Sequence, residues 1–241
     1  MDKKFLKENF DKHCLHNFKL LKTPIKGIVI YLSGCGHVVT PSRDLEVGPF
    51  CAENSILYLY PLCNPHCWMN NRALKQVEAT IECAMELFGI QSDIPIGLHG
   101  GSMGGYSAFH YALKSKYNIV AVDLNCPCCN MEYEIYCNQL AIIRTYYESA
   151  IDDTDDFNSY VRENSPVNMV EKLPKIPYRF AVGLNDTVLI PSQHSSLMIE
   201  KMLGEGHDVI RVDYPSVAHC NLTFENKIEG FSWLCEKVLG K

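Results

Sequence analysis

The chain has 241 residues, enough for one large α/β domain or two small ones, and its 47% hydrophobic and 21% charged content is ordinary for a globular protein. The formal net charge of −6 argues against nucleic acid as a partner. No apolar run reaches the ~18 residues of a spanning helix, so no membrane role is expected. The charged opening Met1-Asp2-Lys3-Lys4-Phe5-Leu6-Lys7-Glu8 has no apolar signal core. A cytoplasmic location is therefore expected, with the twelve cysteines kept as thiols.

In chain order, residues 1–20 read as a polar, partly helical lead-in, with residues 18–21 as a short edge strand. Residues 26–32 form the first clear strand, apolar on both faces as in a buried parallel sheet. It ends in Ser33-Gly34-Cys35-Gly36-His37, where glycines let backbone approach a ligand. A second strand, 54–61, leads into a loop over 62–70 that holds Trp68. Residues 71–89 read as a helix with its apolar stripe on Ala73, Val77, Ile81, Ala84, Met85 and Phe88, stopped by Gly89. The apolar run from Pro95 then enters Gly100-Gly101-Ser102-Met103-Gly104, and a helix follows over 106–114. Residues 118–124 are a fourth strand.

The strand–helix rhythm breaks over about 125–172, with a loop over 126–134 and a Tyr-rich helix over 136–150. This segment is expected to be a helical cap over the carboxyl edge of the sheet. Alternation then resumes: strand 177–182, helix 192–203, strand 208–214 and helix 226–238. Strands alternating with helices predict a single α/β domain with a mostly parallel sheet covered on both faces.

Three strand ends carry chemistry-bearing residues in a telling order. The turn Gly-x-Ser-x-Gly between a buried strand and a helix exposes Ser102 at a helix N-terminus. Asp186 and then His219 follow later strands, and loops at the carboxyl ends of parallel strands gather at one edge. The expected chemistry is acyl transfer, with Ser102 as nucleophile, His219 as base and Asp186 as the acid that orients it. The N–H groups of Met103 and Cys35 are the candidate oxyanion donors, and Gly34, His37 and Trp68 the candidate pocket residues. His66 is a further loop candidate. His99 is expected to bond backbone, and His13, His16, His110, His194 and His207 to be solvated. Cys63, Cys67, Cys126, Cys128, Cys129 and Cys137 match no standard zinc spacing, so no metal and no cofactor are expected.

These residues make the chain similar to the α/β-hydrolase superfamily. Gly100 to Gly105 resembles its nucleophile elbow. Ser165-Pro166, Gly183-Leu184-Asn185-Asp186-Thr187-Val188 and Tyr214-Pro215-Ser216-Val217-Ala218-His219 resemble the prolyl-oligopeptidase-like and dienelactone-hydrolase-like branches. The resemblance covers about residues 25–240. It departs in the oxyanion loop, Ser33-Gly34-Cys35-Gly36, in a late-starting sheet and in the lack of a preceding propeller domain. What it implies is the α/β-hydrolase fold and a serine hydrolase acting on small-molecule carboxylic esters. The resemblance also implies a rival acid, Asp123, at the end of the fourth strand. A peptidase or amidase with the same triad is the first alternative, and a non-catalytic binding protein of the same fold the second.

Overall fold

The computed structural model describes residues 3–137 and 139–241. Seven strands form one sheet in the order β1-β3-β2-β4-β5-β6-β7. They are β1 (Cys14–His16), β2 (Gly27–Leu32), β3 (Ile56–Pro61), β4 (Ile96–Ser102), β5 (Ile119–Pro127), β6 (Tyr178–Gly183) and β7 (Val209–Tyr214). All neighbours pair in parallel except β1, which runs antiparallel to β3 with Leu15 opposite Tyr60.

The edge strand is thus residues 14–16, and residues 18–20, expected as a strand, form a 3₁₀ turn instead. Asn17 sets this corner: its side-chain amide donates to the carbonyls of Gly48 and Ile56, and its oxygen accepts from the Tyr58 N–H. Helices α1 (Lys3–Glu8) and α2 (Phe10–His13) precede it. Two short helices absent from the sequence reading, α3 (Pro41–Asp44) and α4 (Gly48–Glu53), occupy the connection between β2 and β3.

The strands are apolar on both faces because both are covered. In β2, Ile28, Ile30 and Leu32 point into the larger core, and Val29 into the smaller one. In β3, Leu57 and Leu59 take the first face, and Ile56, Tyr58 and Tyr60 the second. The larger core is closed by α5 (Asn71–Phe88), α6 (Met103–Lys114) and α10 (Ser195–Gly204). The smaller is closed by α4 and by α11 (Phe224–Val238), through Phe231, Leu234 and Val238. Local signals set the helix ends: Asn70 caps α5 by accepting from the Ala73 N–H at 2.9 Å, and Gly89 ends it at φ 66°.

Between β5 and β6 lie α7 (Met131–Tyr136), α8 (Leu140–Ala150), α9 (Phe157–Asn164) and two 3₁₀ turns. Strand β5 runs to Pro127, beyond the expected Leu124, because Ser102 at the end of β4 pairs with Pro127 across a register shift. Helix α8 is tied down over the loop after β3: Ser149 Oγ donates to the Cys67 carbonyl at 2.6 Å, and Trp68 Nε1 to Thr145 Oγ1 at 3.1 Å. Among the described residues, no helix is long and apolar enough to cross a membrane.

Candidate active site

The chain goes from β2 to β3 on one side and crosses to β4 on the other, so the sheet's winding reverses between β2 and β4. Ligands bind in such crevices at the carboxyl ends of strands. The loop after β2 carries Gly34, and the end of β4 carries Ser102. A Cβ on Gly34 would sit 3.9 Å from Ser102 Cβ, so the two chain segments meet there.

Ser102 has φ 55° and ψ −122°, a backbone state that costs a non-glycine residue about 1–3 kcal/mol. The surroundings impose it. A Cβ on Gly100 would collide with the backbone of Gly104, and one on Gly104 with the Leu32 carbonyl. Only glycines allow β4 to turn into α6 this tightly. The Ser102 carbonyl is fixed by the Cys128 N–H at 3.0 Å. Met103 opens α6, so its N–H belongs to the first turn, which has no intrahelical acceptor.

His219, after β7, places Nε2 2.9 Å from Ser102 Oγ and Nδ1 2.7 Å from Asp186 Oδ2. A carboxylate only accepts, so the imidazole proton lies on Nδ1 and Nε2 is free to accept from the serine hydroxyl. Asp186, after β6, is 4% exposed, and its Oδ1 accepts from the N–H groups of Val188 and Leu189, each at 2.9 Å. Burial pushes this carboxyl up, but the bonds from His219 and the two N–H groups outweigh it and hold it below the ordinary value. The acid is therefore ionised and rigidly aimed. Asp123 is not at His219. It lies buried, accepting from His99 Nδ1 at 2.7 Å and from Arg179 Nη1 at 3.0 Å.

The histidine loop is also clamped. Cys220 adopts φ 53° and its thiol donates to the Asn125 carbonyl at 3.2 Å. Hydrogen bonding with Cys126, then burial, pushes the Cys220 thiol well above its usual value, so it acts as a thiol and not a thiolate. All twelve cysteines are free thiols. Among the described residues no cluster of three or more His, Cys, Asp or Glu is placed to hold a metal ion.

A cavity of about 240 Å³ opens at Ser102 and His219. Gly34, Cys35 and His37 line it, and His37 Nε2 is paired with Asp44 Oδ1 at 2.8 Å. Trp68 does not line it. The indole is 2% exposed and packs edge-on against Tyr106 and Tyr146, both at 5.4 Å, so it belongs to the core under α8. Several cavity residues carry no signal of their own in the sequence: Tyr31, Arg43, Asp44, Glu46, Asn125 and Lys227. Tyr31 lies at the end of β2, the same strand-end signal that marks Gly34, whereas Arg43 and Asp44 are brought in by α3.

Other histidines correct the sequence reading. His99 bonds a carboxylate, not backbone. His110, His194 and His207 are buried, not solvated: Nε2 of His110 donates to the Asn164 carbonyl, that of His207 to the Val170 carbonyl, and that of His194 to Glu134 at 2.7 Å.

No protein-family model matches the sequence, and no curated protein matches it. Solved structures do. A puromycin hydrolase superposes with a TM-score of 0.73 at 16% identity, over 91% of this chain and 35% of its own. The acylaminoacyl peptidase of Pyrococcus horikoshii gives 0.65 at 14% identity, over 83% of this chain and 34% of its own. Esterase B of Lactobacillus rhamnosis gives 0.70 at 14% identity, over 90% of this chain and 78% of its own. The chain thus spans about a third of the length of the first two and most of the third. With the reversing, mostly parallel sheet and the sharp turn at Ser102, these likenesses show that the chain has the α/β-hydrolase fold.

Proposed function

We propose that the protein is a serine hydrolase that cleaves carboxylic esters of small or medium acyl groups. The observation that carries this reading is the relay Ser102 Oγ–His219 Nε2–Asp186 Oδ2, at 2.9 and 2.7 Å, with the serine held in a strained turn at a cavity mouth. In the first half-reaction Nε2 takes the Ser102 hydroxyl proton as Oγ attacks the ester carbonyl. The tetrahedral oxyanion is met by the Met103 N–H and, from the loop after β2, by that of Cys35. Nε2 then returns the proton to the departing alcohol, leaving an acyl-Ser102. Water, deprotonated by the same nitrogen, releases the acid. Asp186 keeps the proton on Nδ1 and offsets the charge that builds on the ring. The chemistry uses neither metal nor cofactor, and the substrate is a small molecule.

The same relay would serve an amide, and peptidases are among the structural neighbours, so peptide or amide cleavage is the second reading. The test is hydrolysis of 4-nitrophenyl esters, acetate through octanoate, alongside aminoacyl 4-nitroanilides, by wild type and Ser102→Ala. Ester turnover with a short-chain optimum, lost in the variant, is the expected result. Turnover of anilides alone would replace the ester reading with the amide one. No turnover of either by folded protein would point to a ligand-binding role.

A further inference from the structure

The cavity that opens at Ser102 has a wall of both apolar and polar side chains, so it can recognise polar groups as well as an alkyl chain. Beside His219 its wall includes Asn125, His99, His37, Arg43 and Lys227. Most of the charge in it is already matched. Glu46 Oε1 holds Lys227 Nζ at 2.6 Å. Asp44 is buried, with Oδ1 on His37 Nε2 and Oδ2 taking the Thr40 N–H at 2.6 Å. Arg43 is different. It is exposed at the cavity rim, and its guanidinium has neither a hydrogen bond nor an ion pair. Among the described residues lining the cavity, it is the one cation without a partner.

One buried polar atom of the wall is also unmatched. Asn125 is 7% exposed, and its Oδ1 has no hydrogen-bond partner. His99 is 6% exposed. Its Nδ1 donates to Asp123, which leaves Nε2 to accept from solvent or a ligand. A buried polar atom left unpaired, as Asn125 Oδ1 is, costs about 1–3 kcal/mol, and a ligand that donates to it recovers part of that. The cavity has room for about eight water-sized groups at ~30 Å³ each.

We propose that this cavity selects esters bearing a free carboxylate near the scissile bond, with Arg43 pairing the carboxylate and Asn125 Oδ1 and His99 Nε2 accepting from hydroxyl or N–H groups of the substrate. Arg43 determines specificity here: its fork matches a carboxylate and leaves the bond-breaking steps to Ser102 and His219. The inference rests on the hydrolase reading and adds the substrate class to it.

The test pairs charged with neutral substrates: mono-(4-nitrophenyl) adipate against 4-nitrophenyl hexanoate for the acyl side, and 4-acetoxybenzoate against 4-acetoxybenzamide for the leaving group. At low salt, wild type should favour the charged member of at least one pair by about tenfold in kcat/KM, through KM. Arg43→Ala should abolish that ratio, Arg43→Lys should restore part of it, and ~0.5 M salt should shrink it by screening a rim charge. Equal use of both members of each pair, or a ratio unchanged in Arg43→Ala, would overturn the proposal. A fluorophosphonate labelling control separates the two failures. Labelling at Ser102 with no charge preference sinks the carboxylate inference alone, whereas no labelling and no turnover of any of the four esters sinks the hydrolase reading beneath it.

Discussion

Two buried aspartates each hold a histidine at 2.7 Å, yet the structure gives them separate tasks, and an isosteric replacement of each separates the two. In Asp186→Asn the amide oxygen can still accept from the Val188 and Leu189 N–H groups, so the fold should lose less than about 1.5 kcal/mol. The amide nitrogen then faces His219 Nδ1 and drives the ring proton onto Nε2, where it blocks transfer from Ser102. A tautomer fault of this kind slows turnover by ~10³–10⁴-fold, or about 4–5.5 kcal/mol in barrier. In Asp123→Asn the loss is structural. Arg179, 2% exposed, loses a carboxylate at 3.0 Å but keeps Glu229 at 3.0 Å and the Tyr214 hydroxyl at 3.1 Å. Breaking a buried pair costs about 3–5 kcal/mol, and the surviving partners put this case near ~3 kcal/mol, or a fall of about 6–12 °C in Tm. The assay is ester turnover per folded molecule together with thermal melting. Turnover slowed by about 100-fold or more in Asp123→Asn, or kept near the wild-type rate in Asp186→Asn, would refute the assignment of the acid.

Two further outcomes follow from the core. Trp68→Phe removes the indole N–H bond to Thr145 and leaves a void under α8, so it should cost about 1–3 kcal/mol while leaving the acyl chain-length optimum of the ester series unchanged; a shifted optimum would return Trp68 to the pocket wall. Burial, followed by the nearby Lys114 charge, lowers the His110 pKa from 6.5 to about 3, so the folded ring stays neutral where the unfolded one takes a proton. Its contribution is whole above pH 6.5 and lost as pH falls towards 3, about 2 kcal/mol by pH ~5. His110→Gln should therefore flatten the drop in urea midpoint between about pH 7 and pH 5, and an equally steep drop in the variant would contradict this.

The parallel strands and the elbow are legible in the sequence because their signals are local. A run of apolar β-branched residues marks a strand covered on both faces, and Gly-x-Ser-x-Gly marks a turn that side chains cannot enter. The order Ser102, Asp186, His219 is legible because strand ends of a parallel sheet share one edge. Contacts between distant segments are not. Glu134 and His194 meet across 60 positions of sequence, so nothing near His194 announces a buried partner. Trp68 sits just beyond a strand end, like a pocket residue, but α8 folds over it. Strand β1 is three residues long, too short for a period of two to register. Helices α3 and α4 have four and six residues, too few for an apolar stripe, so the helix that brings Arg43 and Asp44 to the site is not legible in the sequence.

The central claim is that His219 activates Ser102 as a nucleophile. Peptide mapping after exposure to a fluorophosphonate tests it directly. The account predicts one adduct, on Ser102, absent in Ser102→Ala and formed at least about 100-fold more slowly in His219→Ala. An adduct on another residue, or none on folded wild-type protein, would contradict it.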